Sequence, residues 1–394
     1  MIRILDKAKC SGCTACVNVC PKGCISMKPD EEGFLYPHVE QSECVECGKC
    51  EKVCPVPHPF ADKKGQRPEA VIARTGNEKI LQDCTSGGVF TAMALAVIQD
   101  GGVVFGAVYR EDFSVAHEKI ESAAEIHRLM GSKYVQSEMG TVFLQVREEL
   151  DKGRKVLFSG TPCQIAGIRN FLGKDHDTLF LVDLVCHGVP SPKLWMAYVD
   201  YVQKKYGKLQ YVNFRSKRLG YHVSVMEERF ENGRIRIGSA RTNLMSKCFF
   251  RDVADRPICY GCPFKTVNRC SDLTIFDSWH AGDLAEGLKD DDRGYTSVLI
   301  QSEKGKFCLG KYGTELKQYF AEPMKLLKAD GRMALNSVQK PAERDTFYIR
   351  LNRDGIGKTV EDMMPISWKD HAIEKLKIIL YKTGVLKLLK VKRK

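Results

Sequence analysis

CSGCTACVNVCP (residues 10–21) and CVECGKCEKVCP (residues 44–55) set the same frame twice: Cys-x2-Cys-x2-Cys-x3-Cys-Pro. This is the ligand spacing of a bacterial two-cluster ferredoxin, where the fourth cysteine of each run serves the other cluster. The close spacing lets a tight loop wrap three thiolates around one cubane, and the fourth follows on a short helix. The spacing therefore assigns Cys10, Cys13, Cys16 and Cys54 to one [4Fe–4S] centre, and Cys44, Cys47, Cys50 and Cys20 to a second. Zinc also binds Cys-x2-Cys pairs, but a zinc site closes at four ligands and has no use for the third cysteine or the proline. Cys24 falls outside the frame and reads as a small buried hydrophobe.

The chain holds 17 cysteines in 394 residues. That length needs no disulfide staples, and the opening MIRILDKAKC has no apolar core of the kind a secretory signal carries. Grouped cysteines in a reducing, cytoplasmic setting point to metal binding or redox work. No stretch approaches the roughly 18 apolar residues of a membrane span. The formal charge of +12 counts cysteines as neutral; three four-thiolate cubanes at about −2 each would bring it to about +6. No basic stripe interleaved with aromatics argues for nucleic acid.

Beyond a Pro- and Lys-rich linker at 59–68, strand and helix patterns alternate. EAVIART, VVFGAVY, KVLFSG and TLFLVDLVC read as strands. GGVFTAMALAVIQDGG, EMGTVFLQVREELDKG, TPCQIAGIRNFLG and SPKLWMAYVDYVQKKYG read as helices. Such alternation predicts an α/β core with some parallel sheet. An antiparallel hairpin around Asn232-Gly233 follows it. The expected architecture is thus a small ferredoxin-like two-cluster domain (1–58) followed by an α/β core.

Three places in that core carry chemistry. CTSGGVF (residues 84–90) opens a helix with two glycines, which suits either an anion such as phosphate or simply a tight turn. Cys163 follows one predicted strand at the start of a helix, and Cys186 ends the next. If those strands are parallel neighbours, both thiols lie on the carboxyl edge, where α/β sheets bind ligands. A helix N-terminus lowers a thiol's pKa. Finally, Cys259 and Cys262 form a Cys-x2-Cys pair flanked by Cys248 and Cys270. They can close a local four-cysteine site with those two, or meet Cys163 and Cys186; the sheet-edge argument favours the second grouping. Zinc remains open for this third site.

The blocks SGGVFTAMA, GGVVFGAVY, GSKYVQS, GTPCQIAGIRNFL, DLVCHGVPSPKLW, NFRSKRLGYH and RPICYGCPFK run in an order that resembles the coenzyme F-420 hydrogenase/dehydrogenase beta-subunit family, in a version with a fused two-cluster ferredoxin. The resemblance reaches to about Ser302. It implies an N-terminal family domain over 69–150 bearing the flavin site, and a C-terminal domain over 151–365 with a third [4Fe–4S] cluster beside FAD. Cys163, Cys186, Cys259 and Cys262 become its ligands. Ser86, Gly87, Gly88, Ser132, Lys133 and Tyr134 become flavin-site residues, with Lys133 a cation near the flavin or its phosphates. Some members reduce a deazaflavin. This sequence departs from the family's Gly-Asp-x-Trp-Gly with FDSWH: Phe276 adds bulk that would narrow a pocket, and His280, close to Asp277, is a candidate proton donor.

Clusters carry single electrons and a flavin converts them to two-electron chemistry. The expectation is an iron–sulfur flavoprotein oxidoreductase linking ferredoxin-type clusters, FAD and a small organic or deazaflavin-like acceptor, with a redox partner protein such as a ferredoxin or an oxidoreductase subunit. Two alternatives are a disulfide reductase using Cys163 and Cys186, and a non-catalytic electron-transfer subunit. Residues 366–394 form a basic amphipathic tail that can lie on an anionic inner-membrane surface or dock on a partner.

Overall fold

The computed structural model describes residues 1–59 and 68–384. Most of the predicted linker and the last ten residues of the tail, with Leu386, Leu389 and the final basic run, lie outside the described residues. β1 (Ile25–Pro29) and β2 (Leu35–Val39) pair antiparallel between the two cysteine runs. β3 (Glu69–Thr75), β4 (Val103–Tyr109), β5 (Val115–Ile120), β6 (Val156–Gly160) and β7 (Leu179–Leu184) begin the large sheet. The chain then leaves it to build a three-stranded antiparallel sheet from β8 (Leu209–Ser216), β9 (Val225–Phe230) and β10 (Ile235–Gly238). It returns as β11 (Leu273–Asp277), β12 (Thr296–Ile300) and β13 (Leu316–Phe320).

The large sheet has eight strands in the order β13-β3-β12-β11-β7-β6-β4-β5. β4, β6, β7 and β11 run parallel. β3 shares their direction, because both it and β11 lie antiparallel to β12. The carboxyl ends of these five strands therefore share one edge. Strands from both sides of residue 150 interleave in this sheet, so segments 69–150 and 151–365 share one core. The reason is physical: within 69–150 only β4 and β5 pair, and β3 joins them in the sheet only through β12, β11, β7 and β6 of the later segment.

Helices cover both faces. Val89, Met93 and Val97 of the helix Val89–Gln99 pack with Cys308 and Leu309 on one face. On the other, Phe143, Val146, Ile165, Ile168 and Phe171 pack from the helices Val142–Asp151 and Pro162–Leu172. Cys13, Ala15 and Val53 of the cysteine-rich segment belong to that second apolar cluster. The N-terminal segment is therefore docked into the core. Asn18 fastens it, donating to Gly140 O (3.0 Å) and accepting from Leu144 N (3.2 Å). Arg344 adds a two-pronged contact to Glu32 at 2.7 and 2.6 Å. At the other end, the helix Trp368–Lys382 leaves Trp368, Ile373, Leu376 and Ile379 exposed. Among the described residues no helix is long and apolar enough to cross a membrane.

Candidate redox site

The two cysteine runs wrap two hollows. Cys10, Cys13, Cys16 and Cys54 line one. Cys20, Cys44, Cys47 and Cys50 line the other. Each run thus lends its last cysteine to its twin's hollow. Positive φ at Gly12 and Thr14 in one run, and at Glu46 and Gly48 in the other, turns the backbone tightly enough to bring three thiols inward. Cys24 is not an isolated core residue: it lines the second hollow, with its sulfur 3.4 Å from that of Cys20.

The donor set fits iron–sulfur clusters on an independent observation. Arg256 is fully buried among neutral partners, donating to Cys10 O (2.7 Å), Gln136 Oε1 (2.9 Å) and Leu35 O (3.0 Å), with its Nη2 3.5 Å from Cys10 Sγ. Among the described residues no carboxylate lies within ion-pair distance of it. Buried charges are paired, and a cluster carrying net negative charge beside Cys10 supplies that pairing. Burial likewise pushes the Cys13 thiol up to about 12 and raises those of Cys16 and Cys54.

At the carboxyl edge of the large sheet, Cys163 stands at the second position of the helix that follows β6, and Cys186 two residues past β7. The turn Pro257–Gly261 brings Cys259, and Cys262 closes it. The four sulfurs are electrostatic neighbours. Burial raises the Cys163 thiol to about 11, with Cys262 next among the causes. Burial raises Cys186 to about 12, with Cys163 and Cys262 contributing. Cys259 is raised by burial and then by Asp255, Cys186 and Cys163. Cys248 instead sits in the apolar cluster around Trp195 and Phe214, and Cys270 beside Asp183 and Arg169. The local grouping of Cys248, Cys259, Cys262 and Cys270 does not form. Cys163 does stand in the first turn of its helix, where the Gln164 amide lowers its pKa, but burial raises it by more. A redox pair that needs a ready thiolate is not favoured by such thiols.

This quartet and the first hollow adjoin. Cys163 is among the charges felt by Cys13. Gly167, one turn along the same helix, makes the approach: a Cβ there would lie 3.0 Å from both Cβ and Sγ of Cys13.

Further along the edge lies a polar shelf. Tyr134 stacks on Phe249 (4.1 Å between ring centres), and Phe249 packs on His187, the residue after Cys186. Arg215 Nη1 donates to Tyr134 Oη (3.3 Å) and Asp277 Oδ2 (2.9 Å), and its guanidinium covers Trp279 at 4.5 Å. Tyr221 donates to Asp277 Oδ1 (3.0 Å) and stacks on Trp279. Lys133 is half-buried, with its ammonium enclosed by the carbonyls of Arg128, Met130 and Gly131; burial pushes it down to about 7. Lys217 donates to Leu81 O and Ser86 O and is pushed down to about 8 by burial. Neither lysine has a carboxylate within ion-pair distance among the described residues. Ser132 and Thr85 join this edge through a 3.1 Å hydroxyl contact.

Three expectations about individual residues change. The amide of Gly87 already donates to Thr296 Oγ1 (2.9 Å), and a Cβ on Gly87 would lie 2.4 Å from Ala73 O. Gly88 holds φ +74° against Thr75. The glycine pair thus serves close packing of loop on strand, and Ser86 offers its hydroxyl to Thr296 (2.8 Å). His280 does not reach Asp277. It caps the short helix Ala281–Leu284, is 58% exposed and pairs with Asp330 (2.6 Å). Phe276 packs into the apolar cluster with Ala281 and Leu327 instead of narrowing a pocket. Arg215, Lys217, Tyr221, Trp279 and Arg256 were not singled out in the sequence; the first three stand in the NFRSKRLGYH block, and Arg256 directly precedes PICYGC.

Comparison with known proteins agrees with this division. Residues 9–57 match the family described as 4Fe-4S dicluster domain. Residues 153–319 match the family described as the carboxyl-terminal part of the coenzyme F420 hydrogenase/dehydrogenase beta subunit. A coenzyme F420-dependent sulfite reductase of Methanocaldococcus jannaschii is 25% identical over 372 residues, covering 91% of this chain and 55% of that protein. One component polypeptide of the F(420)H(2) dehydrogenase of Methanosarcina mazei is 24% identical, over 46% of this chain and 54% of that polypeptide. The chain thus spans about half the length of either relative. The solved F420-reducing [NiFe] hydrogenase complex of Methanosarcina barkeri aligns at TM-score 0.46 and 17% identity, over 79% of this chain and 97% of that one.

Proposed function

We propose, starting from this chain's membership of the coenzyme F420 hydrogenase/dehydrogenase beta-subunit family with a 4Fe-4S dicluster domain, that it is an oxidoreductase with a linear relay. The relay runs from the outer ferredoxin-type cluster to the inner one, then to a third cluster held by Cys163, Cys186, Cys259 and Cys262. It ends at FAD on the polar shelf, which exchanges electrons with a small organic or deazaflavin-like acceptor. The observation that carries this reading is the approach of Cys13 to Cys163 across Gly167, because clusters need proximity to pass single electrons and this contact joins the two cysteine sets directly.

The chain's residues have separable tasks. Arg256 balances the charge of the inner cluster and orients the loop at Cys10. Lys133, Lys217 and Ser132 would hold the anionic parts of the flavin, and Tyr134, Arg215 and Trp279 its ring. When bound, FAD supplies the exchange between one- and two-electron chemistry. Asp277, tied to Arg215 and Tyr221, keeps this end of the shelf rigid. The relative from the F(420)H(2) dehydrogenase, itself one component of that enzyme, favours a second reading, in which the chain delivers electrons to or from a partner protein. Turnover of an artificial dye by the isolated chain separates the two.

The test is composition. Protein purified without oxygen should carry about twelve irons and one FAD per chain, and no zinc. About eight irons without flavin, even after anaerobic incubation with FAD, would leave a ferredoxin joined to a cluster-free domain and end the relay reading.

A further inference from the structure

Beside the cysteine quartet lies a group that the relay does not use. Asp255 is fully buried, and neither carboxylate oxygen has a hydrogen-bond partner. Its place is built, not incidental. Pro190 and Asp255 form an isolated antiparallel bridge, and Arg256 N donates to Val189 O at 3.0 Å. A Cβ on Gly188 would lie 2.6 Å from the Asp255 carboxyl carbon, so glycine at 188 makes room for the carboxylate. Of the nearby cations, Lys265 donates to Cys186 O and Met333 O, and Arg344 pairs with Glu32 and donates from Nε to the Asp255 main-chain carbonyl (3.0 Å), so neither hydrogen-bonds the carboxylate. Facing Asp255 are His187 and Asp252, whose Nε2 and Oδ1 are 2.6 Å apart. One ligand atom from each of the three residues lies within 4.8 Å of the others.

We propose that His187, Asp252 and Asp255 bind a single divalent first-row transition cation. A buried carboxylate without a donor calls for a counter-charge, and the spacing of the three atoms suits one ion contacting all of them. One imidazole nitrogen with two carboxylate oxygens suits Mn2+, Fe2+ or Zn2+, whereas Ca2+ takes six to eight oxygens. Burial pushes the Asp255 carboxyl up to about 7, with Asp252 adding to the rise and His187, Arg344 and Lys265 opposing it. The site shares no ligand with the cysteine sets and stands whether or not the quartet holds iron. When the quartet is loaded, the ion sits one residue from Cys186 and adds positive charge beside that cluster.

The test uses the full chain purified without oxygen, treated with EDTA, desalted and titrated with MnCl2. Free Mn2+ is followed by its six-line EPR signal at room temperature, which oxidised cubanes, being diamagnetic, do not obscure. Thiolates retain Mn2+ poorly, so the probe reports the oxygen and nitrogen ligands. Wild type should take up one tight Mn2+ per chain. Asp255→Asn and His187→Gln, with cluster absorbance unchanged, should each weaken that binding by tenfold or more. Wild type that binds no Mn2+, or binds it no more tightly than both variants, overturns the proposal. The reading does not depend on the iron or flavin count, so failure here and failure of the relay are told apart.

Discussion

Arg256 ties distant parts of the chain together. Its fork reaches β2 and the loop at Cys10, while its own backbone precedes the turn that carries Cys259. It is also among the charges that lower the Cys163 pKa. A guanidinium fixed between two cysteine sets favours the more negative, reduced state of any cluster beside it. Arg256→Gln, which keeps some hydrogen bonding and loses the charge, should lower the midpoint potential of the inner cluster. A tenfold change in that one-electron equilibrium is about 59 mV, and a shift of that order is expected in an EPR-monitored titration. Arg256→Lys should move it less. An unchanged potential in Arg256→Gln would show that the charge is screened from the cluster.

At the scale of elements, the helix Pro162–Leu172 joins the two cysteine sets. Its start is written in the sequence: Thr161 caps it, Gln164 closes a capping box, and Pro162 sits in the first turn. What the sequence does not show is the reason for Gly167. In an isolated helix alanine there would gain up to about 1 kcal/mol, yet a Cβ would press on Cys13. Gly167→Val should therefore lose the inner cluster, seen as a fall of about four irons per chain while the outer cluster's signal persists. Full iron content in the variant would mean that the helix can move away from Cys13.

The cysteine frames were legible because three ligands of each cluster come from one short loop. The strands β3, β4, β6 and β7 were legible from apolar runs bounded by glycine and polar residues. The shelf was not, because Tyr134, Arg215 and Trp279 meet only after β8 leaves the sheet and β11 rejoins it, and no local pattern encodes that meeting. Asp255 was hidden for a related reason: a lone aspartate in a polar stretch looks solvated until the fold buries it beside residue 187. His280 misled in the opposite way, since nearness to Asp277 along the chain did not become nearness in space once the helix at Ala281 turned it toward Asp330.

Across the whole molecule, the first 59 residues behave as part of the core. Cys13, Ala15 and Val53 share an apolar cluster with Phe143 and Phe171, and Asn18 and Glu32 anchor the same piece by hydrogen bonds. A protease site introduced between residues 60 and 67 should therefore yield two fragments that still elute together in gel filtration, with clusters intact. Separation into a free ferredoxin-sized piece would show the docking to be weak.

The two cysteine frames are near twins in sequence, but the fold treats them unequally. The first three cysteines of the first frame, Cys10, Cys13 and Cys16, are buried against the core, while in the second frame Cys47 is exposed and Cys44 partly so. Solvent, and any oxidant dissolved in it, meets the outer frame first. Corrosion should therefore travel inward in a set order, with the outer centre spent before the inner one, so that a partly aged sample would still hold the interior of its wire while having lost the terminal.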